Sequence, residues 1–131
     1  MADGFSTTFA NSLLNALTNT APTAYSGGYA LLHTGAPGSA GTANTSVATT
    51  TRVAATFSTA SAGALALSNT PSWTNGTGGT ATSETITDIS VWSAATAGTF
   101  LFSAALSASK AWASGDTLQL SSLAVSIPTA S

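Results

Sequence analysis

Apolar residues recur every fourth position near the start of the chain and every second position afterwards, and this change of period divides the sequence. Phe9, Leu13 and Leu17 stand at i, i+4 and i+8, with Leu14 beside them, the spacing of one helical face. Residues 5–18 are therefore predicted to be helical. Ser6 supplies a hydroxyl that can accept from an early unpaired N–H. Thr18, Asn19 and Thr20, ahead of Ala21-Pro22, end the pattern. The apolar stripe is narrow, so the helix is expected to lie against a sheet or a neighbouring subunit. A helix this short is marginal alone.

After Pro22 the period is two. Residues 29–34 form the first predicted strand, opened by Gly27-Gly28 and closed by Gly35-Ala36-Pro37-Gly38; residues 38–51 read as a long loop. Val53, Ala55 and Phe57 alternate with polar or small neighbours, 60–63 turn the chain, and Leu65 and Leu67 resume the alternation. Thr70-Pro71-Ser72 interrupts it before Trp73. The glycine-rich tract 75–79 is expected to be the most flexible part of the chain. In 82–92, alternation puts Ile89 and Val91 on one face and Ile86 on the other. Residues 94–98 turn the chain into Phe100, Phe102 and Leu106, which share a parity. Ser114-Gly115-Asp116 leads into Leu118 and Leu120. Leu123, Val125 and Ile127 follow with shifted parity, so Ser121-Ser122 is expected to be a tight turn or a bulge. The pattern predicts an all-β antiparallel sandwich or jelly-roll-like domain of about 7–8 short strands with one short N-terminal helix. One domain is expected over 1–131, with the helix at 5–18 and the β domain at 25–128. No fixed repeat is present.

Composition changes the picture by what is missing. Only 5% of the 131 residues are charged, against about 25% in an ordinary soluble protein. Arg52 and Lys110 are the basic residues; Asp3, Glu84, Asp88 and Asp116 are the acidic ones, for a net charge of -2. No field gathers nucleic-acid phosphates, and no polybasic patch addresses a membrane. A mean hydropathy of +0.31 argues against disorder, while no apolar run is long enough for a spanning helix. Hydroxyls solvate the surface in place of charges, and near-neutral surfaces associate. The expected natural state is an assembly. The chain has no cysteine, so no disulfide supports it. Residues 1–6 lack the basic and apolar regions of a signal peptide. A protein that works outside a cell without such a signal leaves by another route, and release inside a virus particle is one.

Reactive groups are scarce. His33 is the one imidazole, and no Gly-x-Ser-x-Gly elbow presents a nucleophile to it. Its position in an apolar strand beside a Gly/Pro turn fits a structural histidine bonded to the loop. Zinc needs three or four ligands of the right type, and Glu84, Asp88 and Asp116 lack the spacing of a calcium loop or of paired glycosidic carboxylates. The glycines at 76, 78 and 79 lack the Lys-Ser/Thr that follows a phosphate cradle. No enzyme is expected: no catalytic residue, no cofactor-binding residue and no metal ligand is assigned. Trp73, Trp92 and Trp112, with Tyr25 and Tyr29, leave two readings open, a sugar-binding surface or core and interface anchors. A groove lined by exposed tryptophan favours the first; buried tryptophan favours the second.

A family resemblance enters on these residues. The helix 5–17 leads into Tyr29-Ala30-Leu31-Leu32-His33-Thr34-Gly35-Ala36-Pro37-Gly38, followed by Gly41-Thr42-Ala43-Asn44. Later come Val91-Trp92-Ser93-Ala94-Ala95 with Gly98, and Gly115-Asp116-Thr117. In this order the chain resembles a family of small structural proteins of tailed bacteriophages, labelled tail fibre or minor tail proteins and common in actinobacterial phages. Ala36 and Ser93 stand where the family pattern has Asp, so no metal or ion-pair role is carried over to either. The resemblance implies a virion component, made in the host cytoplasm, that partners with itself and with other phage structural proteins. Two alternatives accompany it: a head decoration protein on the capsid lattice, and a module that binds host-surface glycans. Expected assembly contacts are Phe5, Phe9, Leu13, Leu17, Trp73 and Trp112. Expected loop and turn positions are His33, Gly35, Pro37, Gly38, Gly115 and Asp116. The loop at 35–51 and the tract near Gly78 are the expected contact loops.

Overall fold

A computed structural model describes residues 3–25 and 27–130. Helix α1 (Thr7–Leu14) runs into a 3-10 turn (Asn15–Thr18), and eight strands follow: β1 (Gly28–His33), β2 (Val53–Ala55), β3 (Ala64–Ala66), β4 (Ser72–Thr74), β5 (Glu84–Trp92), β6 (Phe100–Trp112), β7 (Thr117–Gln119) and β8 (Ala124–Ser126). The fold is the all-β antiparallel sandwich that the period of two predicts. One layer is a four-stranded sheet in the order β2-β1-β5-β6. The facing layer consists of two antiparallel pairs, β3 with β8 and β4 with β7.

The helix begins two residues later than predicted. Ser6 is the N-cap, and its Oγ accepts from the Phe9 amide at 3.1 Å. Phe5 therefore falls outside the helix and bridges to Phe102. Backbone bonds Ser6 N to Leu101 O (2.7 Å) and Ser103 N to Gly4 O (2.9 Å) lay this leading segment along the outer edge of β6. Asn19 ends the helical stretch in a left-handed conformation (φ 57°), which Asn tolerates better than most residues.

The core lies between the layers. It holds Ala30 and Leu32 of β1, Ile86, Ile89 and Val91 of β5, Phe102 and Trp112 of β6, and Trp73, Leu118 and Leu120 from the facing layer. Strict alternation failed at two places, each a register shift between β5 and β6. Phe100 and Phe102, predicted to share a face, lie on opposite faces, since Val91 pairs with Phe102 and Trp92 with Phe100. At the other, Ile86 lies in the same core as Ile89, where an odd spacing predicts opposite faces. A bulge explains this: between the pairs Ile86↔Lys110 and Asp88↔Ala105, β6 advances five residues while β5 advances two. The bulge resets the parity.

Both faces of the four-stranded sheet are covered. Leu31, His33, Ser90, Trp92 and Phe100 are buried although they sit opposite the sandwich core by pairing, as in Leu31↔Ser90 and Trp92↔Phe100. Residues 34–46 fold back over them. Pro37 is buried, and the Gly41 backbone lies so close to Phe100 that a Cβ there would meet the ring at 2.6 Å. This double cover makes β1 and the later part of β5 nearly continuous buried runs.

Two further expectations are corrected. The 75–79 tract is packed: Asn75 is buried and bonds both ways to the Thr82 backbone (2.7 and 3.1 Å), while Gly76, Gly78 and Thr80 bond to the backbone of 47–50. Glycine at 79 is needed for contact, since a Cβ would come within 2.6 Å of the Ala48 carbonyl carbon. Ser121-Ser122 is neither a tight turn nor a bulge. The chain there crosses from the β4–β7 pair to the β3–β8 pair, which accounts for the shifted parity.

Candidate functional site

The polar residues singled out by the sequence are occupied in fastening loops. His33 is fully buried. Its Nδ1 lies 2.8 Å from the Ala43 carbonyl, to which it can only donate. Its Nε2 lies 2.7 Å from Ser90 Oγ, and the Trp92 indole N–H donates to the same Oγ at 2.8 Å. Ser90 therefore uses its one proton on Nε2, and His33 is the neutral tautomer protonated at Nδ1. Burial lowers its pKa below the usual histidine value, against the opposing pull of the Ala43 hydrogen bond and of the Asp88 and Asp3 carboxylates. Gly35, Pro37 and Gly38 stand in the same loop, and Asn44 returns to it by donating to Ala36 O (3.0 Å).

Arg52 does work that the sequence did not reveal. Its guanidinium carbon lies 3.8 Å from the centroid of the Trp92 ring, and Nη1 donates to the carbonyls of Ala94 and Ala97. One cation thus stacks on the indole and ties down the 94–98 turn. Partial burial lowers its pKa, yet a guanidinium stays charged at any physiological pH. Glu84 is a second fastener: it accepts from Ser46 Oγ, from the Trp112 indole (3.2 Å) and from the Val47 amide (3.3 Å). Gly115 takes φ 83° in the late turn, where Asp116 Oδ2 accepts from the Ala113 amide at 2.8 Å. Ser90, Ser46 and Glu84 were missed as partners because no local spacing signals a contact that pairing across strands creates. Arg52 carried the one available hint, as a rare cation in a neutral chain.

The expected assembly residues divide into two groups. Trp73 and Trp112 are only 3% and 5% exposed. Each indole is fixed from within, Trp73 by the Thr51 carbonyl (3.1 Å) and Trp112 by Glu84. The expectation that they face a neighbour is corrected: these large rings complete the core of their own chain and leave no face for a subunit or a sugar ring. The helix behaves differently. Phe9 packs on the core and makes edge contacts with Phe5 (5.3 Å) and Tyr25 (5.9 Å); Leu13 is half-buried. Leu17 is 84% exposed, Leu14 62% and Phe5 39%. Beside the helix lies an apolar cavity of about 520 Å³ lined by Phe9, Tyr25, Phe57, Phe102 and Val125, among others.

His33 and Ser90 have the separation of a base and a nucleophile. Ser90 is nevertheless fully buried, and Nδ1 is oriented by a backbone carbonyl, not by a carboxylate. Among the described residues no three of His, Asp and Glu come together as metal ligands. No described helix is long and apolar enough to cross a membrane.

A β-sandwich with its polar side chains engaged in holding loops, and with an apolar helix face left outside, defines a small structural domain. Over residues 4–128 the chain matches the family described as podophage GP4 fiber I protein gp80. It belongs to that family, and is thereby a fibre-type structural component of a phage particle. No curated protein matches it.

Proposed function

We propose that this chain is a non-enzymatic, tail-associated fibre subunit that joins to copies of itself and to other phage structural proteins through the exposed end of α1 and the 3-10 turn that follows it. The exposed pair Leu14 and Leu17 carries this reading. Leu14 ends α1 and Leu17 lies in the 3-10 turn that follows, three residues on, where side chains at i and i+3 eclipse, and both stand out among large apolar side chains left in water. In a chain with 5% charged residues, burying them between subunits supplies the free energy that ion pairs do not, at about 25 cal/mol per Å². Synthesis in the host cytoplasm and release within the particle complete the reading.

Two observations support it against a catalytic or glycan-binding role. The His33–Ser90 pair lies where no substrate reaches it, and the indoles of Trp73 and Trp112 are enclosed. The test is light scattering on the purified chain beside a Leu14→Asp/Leu17→Asp variant. The wild type is expected to have a defined oligomeric mass and the variant a monomer's, with an unchanged far-UV circular dichroism spectrum showing that it is folded. A monomeric wild type, or a variant that keeps the oligomer, overturns the assignment of α1 as the contact.

A further inference from the structure

His33 joins two parts of the protein through two different nitrogens. Nδ1 donates to Ala43 in the 34–46 loop, and Nε2 accepts from Ser90 in the sheet. The Trp92 indole can only donate, and it takes Ser90 Oγ as acceptor. This leaves the relay with one consistent set of protons, running from Trp92 through Ser90 and His33 to Ala43. A second proton on the imidazole breaks the set. Nε2 becomes a donor, the Ser90 proton loses its acceptor, and a positive charge is placed where water does not reach.

We propose that His33 is a proton-operated latch on the 34–46 loop: the neutral imidazole holds the loop on the sheet, and the imidazolium releases it to water. The loop can leave as a unit. None of its residues belongs to the sandwich core, and the bonds Thr34 N to Asn44 O and Ala43 N to Pro37 O are internal to it. Besides His33, it is held to the sheet at its end by Ser46, through Ser46 N to Leu32 O and Ser46 Oγ to Glu84, and release breaks these bonds. The charged surroundings are few. Asp88, opposite His33 on β5, and Asp3, in the leading segment beside β6, both favour the imidazolium. The loop itself has no ionisable residue, nor does β6 from Phe100 to Ser109. Arg52 of the segment before β2 is engaged with Trp92. Desolvation outweighs the two carboxylates in the closed state, so opening the loop relieves the proton's largest cost. The latch stands independently of which partner α1 contacts.

The chain has one histidine, so its imidazole signal is unambiguous. Amide hydrogen exchange, corrected for the intrinsic effect of pH, compares the loop with β5 between about pH 7.5 and about pH 5. Below the ordinary histidine value the Ser46 amide, which donates across the loop–sheet boundary to Leu32 O, is expected to lose roughly tenfold in protection per pH unit until the folded pKa is reached. The β5 amides from Ile89 to Val91 are expected to hold theirs. His33→Gln cannot titrate and is expected to show loop protection independent of pH. If that variant does not fold, the wild type decides by NMR, because the imidazole titration and the Ser46 amide shift must share one midpoint. Loop protection that stays flat in the wild type, an unchanged acid loss in His33→Gln, or separate midpoints overturns the latch.

Discussion

Replacing Gly41 by alanine tests how the 34–46 loop is seated, and a second glycine provides the control. Gly41 has φ 73°, and an added Cβ meets the Phe100 ring at 2.6 Å. Gly115 has φ 83°, and an added Cβ there finds nothing within 4 Å. Both substitutions force an L-residue into the left-handed region, at a cost of roughly 1–2 kcal/mol. Gly41→Ala adds the displacement of a buried ring that itself packs on Trp92 at 5.4 Å. Overpacking of this kind costs about 1–3 kcal/mol more. Gly41→Ala is therefore expected to lose roughly 2–5 kcal/mol of stability by the sum of these effects, and Gly115→Ala only the first part. Urea unfolding followed by tryptophan fluorescence measures both, with the m-value checked for constancy. Equal losses in the two variants refute the claim that the loop is packed on the sheet through Phe100.

Other substitutions probe the remaining fasteners. Ser6→Ala removes the Oγ that accepts from Phe9 and is expected to cost about 1 kcal/mol in urea unfolding. Arg52→Met keeps the stem over Trp92 but removes the cation and its bonds to Ala94 and Ala97. A loss of about 1–3 kcal/mol is expected, together with faster proteolysis in 94–98. Global stability should also depend on pH. The folded pKa of His33 lies below its unfolded value, so the unfolded chain binds more protons between the two. Stability is then complete above about pH 6.5 and declines as the pH falls toward the folded value. Urea midpoints at a series of pH values check the slope, which His33→Gln should remove.

The sequence was legible where a single period governed a segment. Phe9, Leu13 and Leu17 marked the helix, and Ser6 its cap. The strands around Leu31, Val91 and Phe102 followed from alternation and from turn residues such as Gly115-Asp116. What misled the reading came from relations between distant residues. The bulge that turns Ile86 inward depends on how β6 pairs with β5, and the anchoring of 75–79 depends on the 47–50 backbone lying beside it. Trp73 and Trp112 looked like surface anchors because composition does not tell an aromatic ring in its own core from one at a contact. Of the helix residues expected at a contact, Phe9 packs inward and Leu17 is left exposed, whereas Ser90 and Glu84 acquired partners only through folding.

The pairing of residues 4–6 with β6 bears on how this domain carries load. The bonds Ser6 N to Leu101 O and Ser103 N to Gly4 O join α1 to the four-stranded sheet immediately ahead of the helix. A tension transmitted from α1 along the direction of β6 shears both bonds at once, and the Phe5–Phe102 ring contact (6.2 Å) resists with them. A tension directed away from the sheet peels the same bonds one after the other. The junction is thus stiff along the strand and weak across it, so the angle at which a neighbour pulls on α1 sets the force at which the helix detaches.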